Sequence, residues 1–167
     1  MSIISFIKEA GEKLFGHGNA PAAAPAAAAE PAALQARSAD ADKTAAQAIE
    51  KYIQSQNLSA DGLTVEYDGS QQAVTVSGVA PDQVTKEKIV LCCGNVQGIA
   101  KVNDLLTVEQ PADESRYYTV VKGDTLSAIA KKEYGNANAY MKIFEANKPM
   151  LTSPDKIYPG QVLRIPA

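Results

Sequence analysis

Tyr118-Thr119-Val120-Val121-Lys122-Gly123-Asp124-Thr125-Leu126 is the stretch from which the fold is read outward. Tyr118 and Val120 alternate with Thr119, as a half-buried strand requires. Lys122-Gly123-Asp124 then turns the chain, and Asp124 or Thr125 is placed to cap a helix that buries Leu126, Ile129 and Ala130. A second helix offers Tyr140, Ile143 and Phe144, and Asn147-Lys148-Pro149 stops it. Pro159-Gly160 turns the chain into Val162–Ile165, a strand that must pair back with the first. The order is β-α-α-β.

Upstream, Asp40–Gln110 reads as helix, two strands, helix, strand. Asp40 or Asp42 caps a helix carrying Ala45, Ala46, Ile49 and Ile53 on one face. Leu63, Val65 and Tyr67 alternate with polar residues, Asp68-Gly69 gives a turn, and Val74 and Val76 return. Pro81 suits the first turn of the next helix, which runs to Gly94. Val102, Leu106 and Val108 share a face of the last strand. The fold class is α+β: a small sheet covered by helices, followed by the βααβ unit.

The N-terminal residues Ser2–Phe15 place Ile3, Phe6, Ile7, Ala10 and Leu14 at helical spacing, which predicts a short amphipathic helix. A helix this short must dock on something. Residues 16–38 form an Ala/Pro-rich linker in which Pro21, Pro25 and Pro31 interrupt alanine runs. The expected divisions are therefore 1–15, 16–38, 39–110, a second linker at 111–116, and 117–167.

Composition bounds the function. With 167 residues and a net charge of -3, the chain shows no basic stripe for nucleic acid. No apolar run reaches the roughly 20 residues that span a bilayer. Met1–Ile7 has no Lys or Arg, and Lys8-Glu9 ends its apolar run, so no secretory signal is read and a cytoplasmic location is expected. Cys92 and Cys93 are adjacent, poor geometry for bridging distant segments, and read as two small reduced thiols. His17 is the only histidine and is assigned no role. One His and two vicinal Cys cannot build a usual zinc site, and no carboxylate loop suits calcium. No nucleophile–base pair or phosphate-cradling loop is found, so no enzyme is expected.

Gly94-Asn95-Val96-Gln97-Gly98-Ile99 is a helix exit, where glycine tolerates the left-handed conformation and the last carbonyls lose their helical partners. Such carbonyls carry partial negative charge and favour a cation nearby. The plainer reading is that this exit and Ile7–Leu14 only pack the N-terminal helix on the middle unit.

The stretch Tyr118–Leu126, with Ile143-Phe144-Glu145-Ala146-Asn147 and Ile157-Tyr158-Pro159-Gly160-Gln161-Val162-Leu163-Arg164-Ile165-Pro166, resembles a LysM domain. The middle unit, with Val74–Gly78 and Gly98-Ile99-Ala100-Lys101-Val102, resembles a BON domain. Together with Phe6-Ile7-Lys8-Glu9-Ala10-Gly11-Glu12-Lys13-Leu14, the chain is similar to the small bacterial cytoplasmic potassium-binding proteins. The resemblance implies K+ as the ligand, held by main-chain carbonyls at positions matching Ile7, Lys8, Ala10, Gly94, Val96 and Ile99. It implies a monomeric K+ sensor or buffer that orders or compacts when the ion bridges both segments. Neutral carbonyl dipoles suit this large, weakly hydrated ion. The LysM resemblance implies a rival: a glycan-binding or envelope-maintenance protein, with a groove between Gly123–Leu126 and Asn147–Pro159.

Overall fold

The computed structural model describes residues 2–5 and 31–167, with side chains for Ile4 and for 39–167. Strands β1 (Ser2–Ser5), β2 (Asp61–Asp68), β3 (Ala73–Asp82) and β4 (Lys101–Gln110) form one sheet in the order β1-β4-β3-β2. Helix α1 (Pro31–Ser55) precedes β2, and helix α2 (Gln83–Gly94) carries the chain from β3 to its parallel neighbour β4. A parallel pair needs such a crossover, and the helix is that crossover.

Side-chain alternation decides which face is covered. Val65 stands opposite Val76, Tyr67 opposite Val74, and Val74 beside Val102, so these residues form one apolar face. Ile49 and Ile53 of α1 and Ile89 and Leu91 of α2 are fully buried over that face. Each such burial contributes about 1.5–3 kcal/mol. Thr64, Glu66 and Thr107 point the other way and are exposed. The expected sheet covered by helices is what the chain forms.

In the C-terminal unit, β5 (Arg116–Thr119) and β6 (Val162–Ile165) pair antiparallel, with Tyr118 opposite Leu163. Between them lie α3 (Leu126–Tyr134), a 3-10 turn at Ala137–Ala139, and α4 (Tyr140–Ala146). The Thr125 hydroxyl accepts the Ala128 N–H at 3.1 Å, which settles the cap between the two candidates. Leu126, Ile129, Ile143, Leu151 and Ile165 fill the core. Asn147 closes α4 onto β6: its amide donates to the Ile143 and Arg164 carbonyls, and its oxygen accepts the Arg164 N–H. Val162 of β6 packs instead into the first core, so the two units share a seam.

Four local expectations are corrected. Ser2–Ser5, read as the start of a helix, is a strand paired with β4, Ile4 opposite Val102. β-Branched Ile3 and Ile4 favour extended backbone, and the pairing covers an edge of β4 that would otherwise stand open. The remainder of the expected N-terminal helix, with Ile7, Lys8 and Ala10, lies outside the described residues. So do residues 16–30 of the linker, including His17, whereas 31–38 is helix: α1 begins at Pro31, not at Asp40 or Asp42. Proline is favoured at a first helical position, and the Ala, Leu, Gln and Arg that follow are good helix formers. Pro81 lies in β3, and Asp82 caps α2 by accepting the Thr85 N–H at 2.7 Å. The hairpin turn is longer than Asp68-Gly69, because the Asp68 carboxylate organises it by accepting the Ser70 and Gln71 N–H groups.

Gly78 has φ +139° and faces an irregular step in the β2–β3 register; an added Cβ would stand 2.9 Å from the Asp61 carbonyl oxygen. Gly78→Ala is expected to destabilise the fold by about 1–3 kcal/mol, since both strain and backbone overlap oppose it. A urea unfolding midpoint equal to that of the parent chain would contradict this placement.

Candidate cation site at the exit of helix α2

Helix α2 ends at Gly94, and Asn95 follows as its C-cap with φ -84° and ψ 20°. The Asn95 N–H donates to the Leu91 carbonyl at 2.9 Å. A trans peptide is planar and sets its C=O opposite its N–H. The Gly94 carbonyl, which shares that plane, therefore points forward out of the helix end. The same rule fixes Ile99: the Ala100 N–H donates to the Gln72 carbonyl at 2.8 Å, so the Ile99 carbonyl faces away from the β2–β3 turn. The Val96 carbonyl accepts the Ile99 N–H at 3.2 Å and keeps a second lone pair. Gly98, at φ +99°, supplies the reversal between them.

Gly94, Val96 and Ile99 are thus brought into one short loop whose apolar side chains are fully buried, which anchors it. Strand β1 runs antiparallel to β4 with Ser5 opposite Lys101. The chain leaves β1 at the end of the sheet where this loop enters β4. Ile7, Lys8 and Ala10 lie beyond that point, outside the described residues. Oriented carbonyls suit a large monovalent cation, whereas divalent ions want carboxylates. Among the described residues, no group of three or more His, Cys, Asp or Glu is placed to hold a metal ion.

The loop is also joined to the C-terminal unit, which sequence patterning did not reveal. The Asn95 amide donates to the Val162 carbonyl at 2.8 Å, and its oxygen accepts the Val162 N–H at 2.9 Å. Two turns back along α2, the buried Glu87 carboxylate is paired with Arg164 of β6 and accepts the Ser115 N–H at 2.7 Å and the Gln83 amide at 3.0 Å. Burial pushes the Glu87 carboxyl up, but these hydrogen bonds outweigh it and hold the group below its ordinary value. Glu87 sits between Lys86 and Lys88, where the sequence reads as an ordinary charged helix face. Nearby, Lys86 pairs with buried Asp104 at 3.2 Å and donates to the Leu106 carbonyl.

Other candidates resolve simply. Cys92 and Cys93 are buried thiols, and burial pushes the Cys93 thiol up to about 12, so it stays protonated. Asp124, Thr125, Leu126 and Ser127 line one wall of a groove of about 410 Å³; Tyr140, Pro154, Asp155 and Ile157 complete it. These are the two loops between which a glycan groove was expected. No described helix is long and apolar enough to cross a membrane.

Residues 41–110 match the BON domain family and residues 118–166 the LysM domain family. The molecule is therefore a BON–LysM protein of α+β architecture. Over 168 aligned residues, covering 99% of each chain, it is 44% identical to the potassium binding protein Kbp of Escherichia coli O6:H1. The chain belongs to the Kbp family. Shorter likenesses link it to an uncharacterized protein of Deinococcus radiodurans, 51% identical over 49 residues (29% of this chain, 19% of that one). A further one is the uncharacterized protein YqbP of Bacillus subtilis, 41% identical over 58 residues (29% and 26%).

The depressed Glu87 carboxyl makes a pH-dependent contribution with a definite sign. Its ordinary value is 4.5, so the stabilisation is complete above that pH and is lost as pH falls below it toward the folded-state value. Urea unfolding of the parent chain and Glu87→Gln should differ by a constant amount from pH 7 to about 5, with the gap narrowing below 4.5. Parallel curves down to acid unfolding would show that Glu87 is not the ionised partner of Arg164.

Proposed function

We propose that this chain binds K+ through backbone carbonyls and acts as a cytoplasmic K+ sensor or buffer rather than as a catalyst. The ligands are the carbonyls of Ile7, Lys8 and Ala10 from the N-terminal segment and of Gly94, Val96 and Ile99 from the α2 exit. The observation that carries this reading is the pair of hydrogen bonds, Asn95 to Leu91 and Ala100 to Gln72, that aim two of those carbonyls. β1 supports the N-terminal half: only Phe6 separates Ser5 from Ile7, a contour of about 7 Å over the two residue steps. The relative 44% identical over 99% of the chain is named for potassium binding.

Side chains play no ligand part in this site. Lys8 contributes its carbonyl, and its ammonium, a cation itself, is no ligand. In this reading residues 1–15 dock on a BON unit that α1 leads into and that ends at 110, tethered through 16–30, and a linker at 111–116 leads to the LysM unit at 117–167. The protein acts as a monomer, because the two segments that complete the shell belong to one chain. The ion stabilises the ordered state by RT ln(1 + [L]/Kd), about 2.7 kcal/mol at a hundredfold excess over Kd. Binding therefore compacts the molecule.

A second reading rests on the LysM groove, whose walls are the two loops expected to hold a glycan. It makes the C-terminal unit a receptor for N-acetylglucosamine oligomers and the protein an envelope-maintenance factor.

Thermal melting and scattering in KCl against matched NaCl, with a parallel titration of chitin oligomers, separate the two. K+ should raise the melting temperature and shrink the molecule where Na+ does not. Gly94→Val should abolish that difference while the LysM unit stays folded. Equal behaviour in both salts, with saturable oligomer binding, would replace the first reading by the second.

A further inference from the structure

We propose that Asn95 is a positioning residue for the cation, one that makes the carbonyl shell depend on the docked LysM unit. The inference rests on the carbonyl site proposed above. A C-cap at this place needs only the backbone N–H, which any residue except proline supplies, and that N–H is already used on Leu91. The side chain takes no part in capping. Both of its polar atoms go to one residue of another unit, the Val162 N–H and C=O, at 2.9 and 2.8 Å.

This two-point contact mimics the pairing of a neighbouring strand, and it fixes which end of the amide is which. Aspartate lacks the donor, alanine lacks both groups, and glutamine is one methylene too long. Asn95 follows Gly94 directly, so holding its Cα and side chain steadies the peptide plane that carries the Gly94 carbonyl, with the Val96 carbonyl two peptides further along the same short loop. Arg164, two residues along the same face of β6, meets Glu87 eight residues up α2. Strand β6 thus grips α2 at two places, and only the Asn95 grip reaches the ion loop.

The consequence is a cation affinity set partly by a residue that donates no ligand atom. Without the clamp the loop keeps its sequence, its carbonyls and the backbone bonds to Leu91 and Gln72, but loses the contact that ties it to β6.

Isothermal titration with KCl, at a temperature well below melting in K+-free buffer, tests this on the full chain. Asn95→Ala should weaken K+ binding at least tenfold. Glu87→Ala, which loosens the other grip without touching the loop, should weaken it distinctly less. Asn95→Asp is the sharper variant, since it keeps the acceptor for Val162 and adds a negative charge beside the cation. Simple attraction would tighten K+ binding there; a positioning role predicts that it weakens. Unchanged or tighter binding in Asn95→Asp, unchanged affinity in Asn95→Ala, or equal losses in Asn95→Ala and Glu87→Ala would each overturn the inference. A parent chain that takes up no K+ would overturn the carbonyl site itself, a different outcome from parent binding that Asn95 substitutions leave intact.

Discussion

A carbonyl in a trans peptide cannot turn independently of the N–H beside it, and the candidate site is built on that constraint. The acceptors that fix its peptide planes come from separate parts of the fold. Leu91 belongs to the hydrogen-bond ladder of α2, and Gln72 to the β2–β3 turn. Gln72 itself has φ +52° and receives both the Ala100 and Lys101 N–H groups, at 2.8 and 3.3 Å. A disturbance of the hairpin turn therefore reaches the Ile99 carbonyl through one hydrogen bond. The fully buried Val96 and Ile99 side chains hold the loop from the opposite side.

Helix α2 is where these demands meet. One side packs on β3 and β4, its C-terminal end carries the loop, and it is gripped by β6 of the C-terminal unit. The Glu87–Arg164 pair inside this junction is weak evidence for stability, because burying two charges costs several kcal/mol per ion before attraction offsets it. Three donors from three places, Arg164, the Ser115 N–H and the Gln83 amide, satisfy the carboxylate. What such a pair adds here is registry: a LysM unit shifted along α2 would leave Glu87 buried without partners. The nearby Tyr117 phenol is pushed well above its ordinary range by burial and by the Glu87 and Asp104 charges, so it stays neutral inside the junction.

The elements with a strong local pattern were legible in the sequence. Leu126, Ile129 and Ala130 on one helix face, the alternation of Val65 and Tyr67 with polar residues, and Val162–Ile165 as the returning strand all follow from period and punctuation. What failed were ends and edges. Ser2–Ser5 carries a helix-compatible pattern, yet its conformation is decided by the unpaired edge of β4, roughly a hundred residues away. Pro31 reads as one more proline of the Ala/Pro-rich stretch, yet the residues after it are helix formers and it opens α1. Of the site, Gly98 announced a chain reversal, whereas Gly94 closes α2 without the left-handed conformation expected of it, and a carbonyl ligand leaves no mark on its own side chain. Its direction follows only once the partners of Asn95 and Ala100 are known. For Asn95, nothing local in the sequence points to Val162.

β1 is where the proposed ligand-linked ordering would have its physical basis. Ordering a residue costs about 1–2 kcal/mol of backbone entropy, so four residues of edge pairing start from a deficit of several kcal/mol. The pairing with β4 and the packing of Ile4 against the first core offset part of it. Neither reaches past Ser5, and the N-terminal ligands proposed for the cation begin two residues later. A cation bridging those carbonyls to the α2 exit would act on the same few residues, from the end that β4 does not hold. In that arrangement edge strand and ion would stabilise one another, since both act on the first few residues of the chain. Ordering of this kind would need no movement of the central sheet, whose other face-covering residues come from α1 and α2.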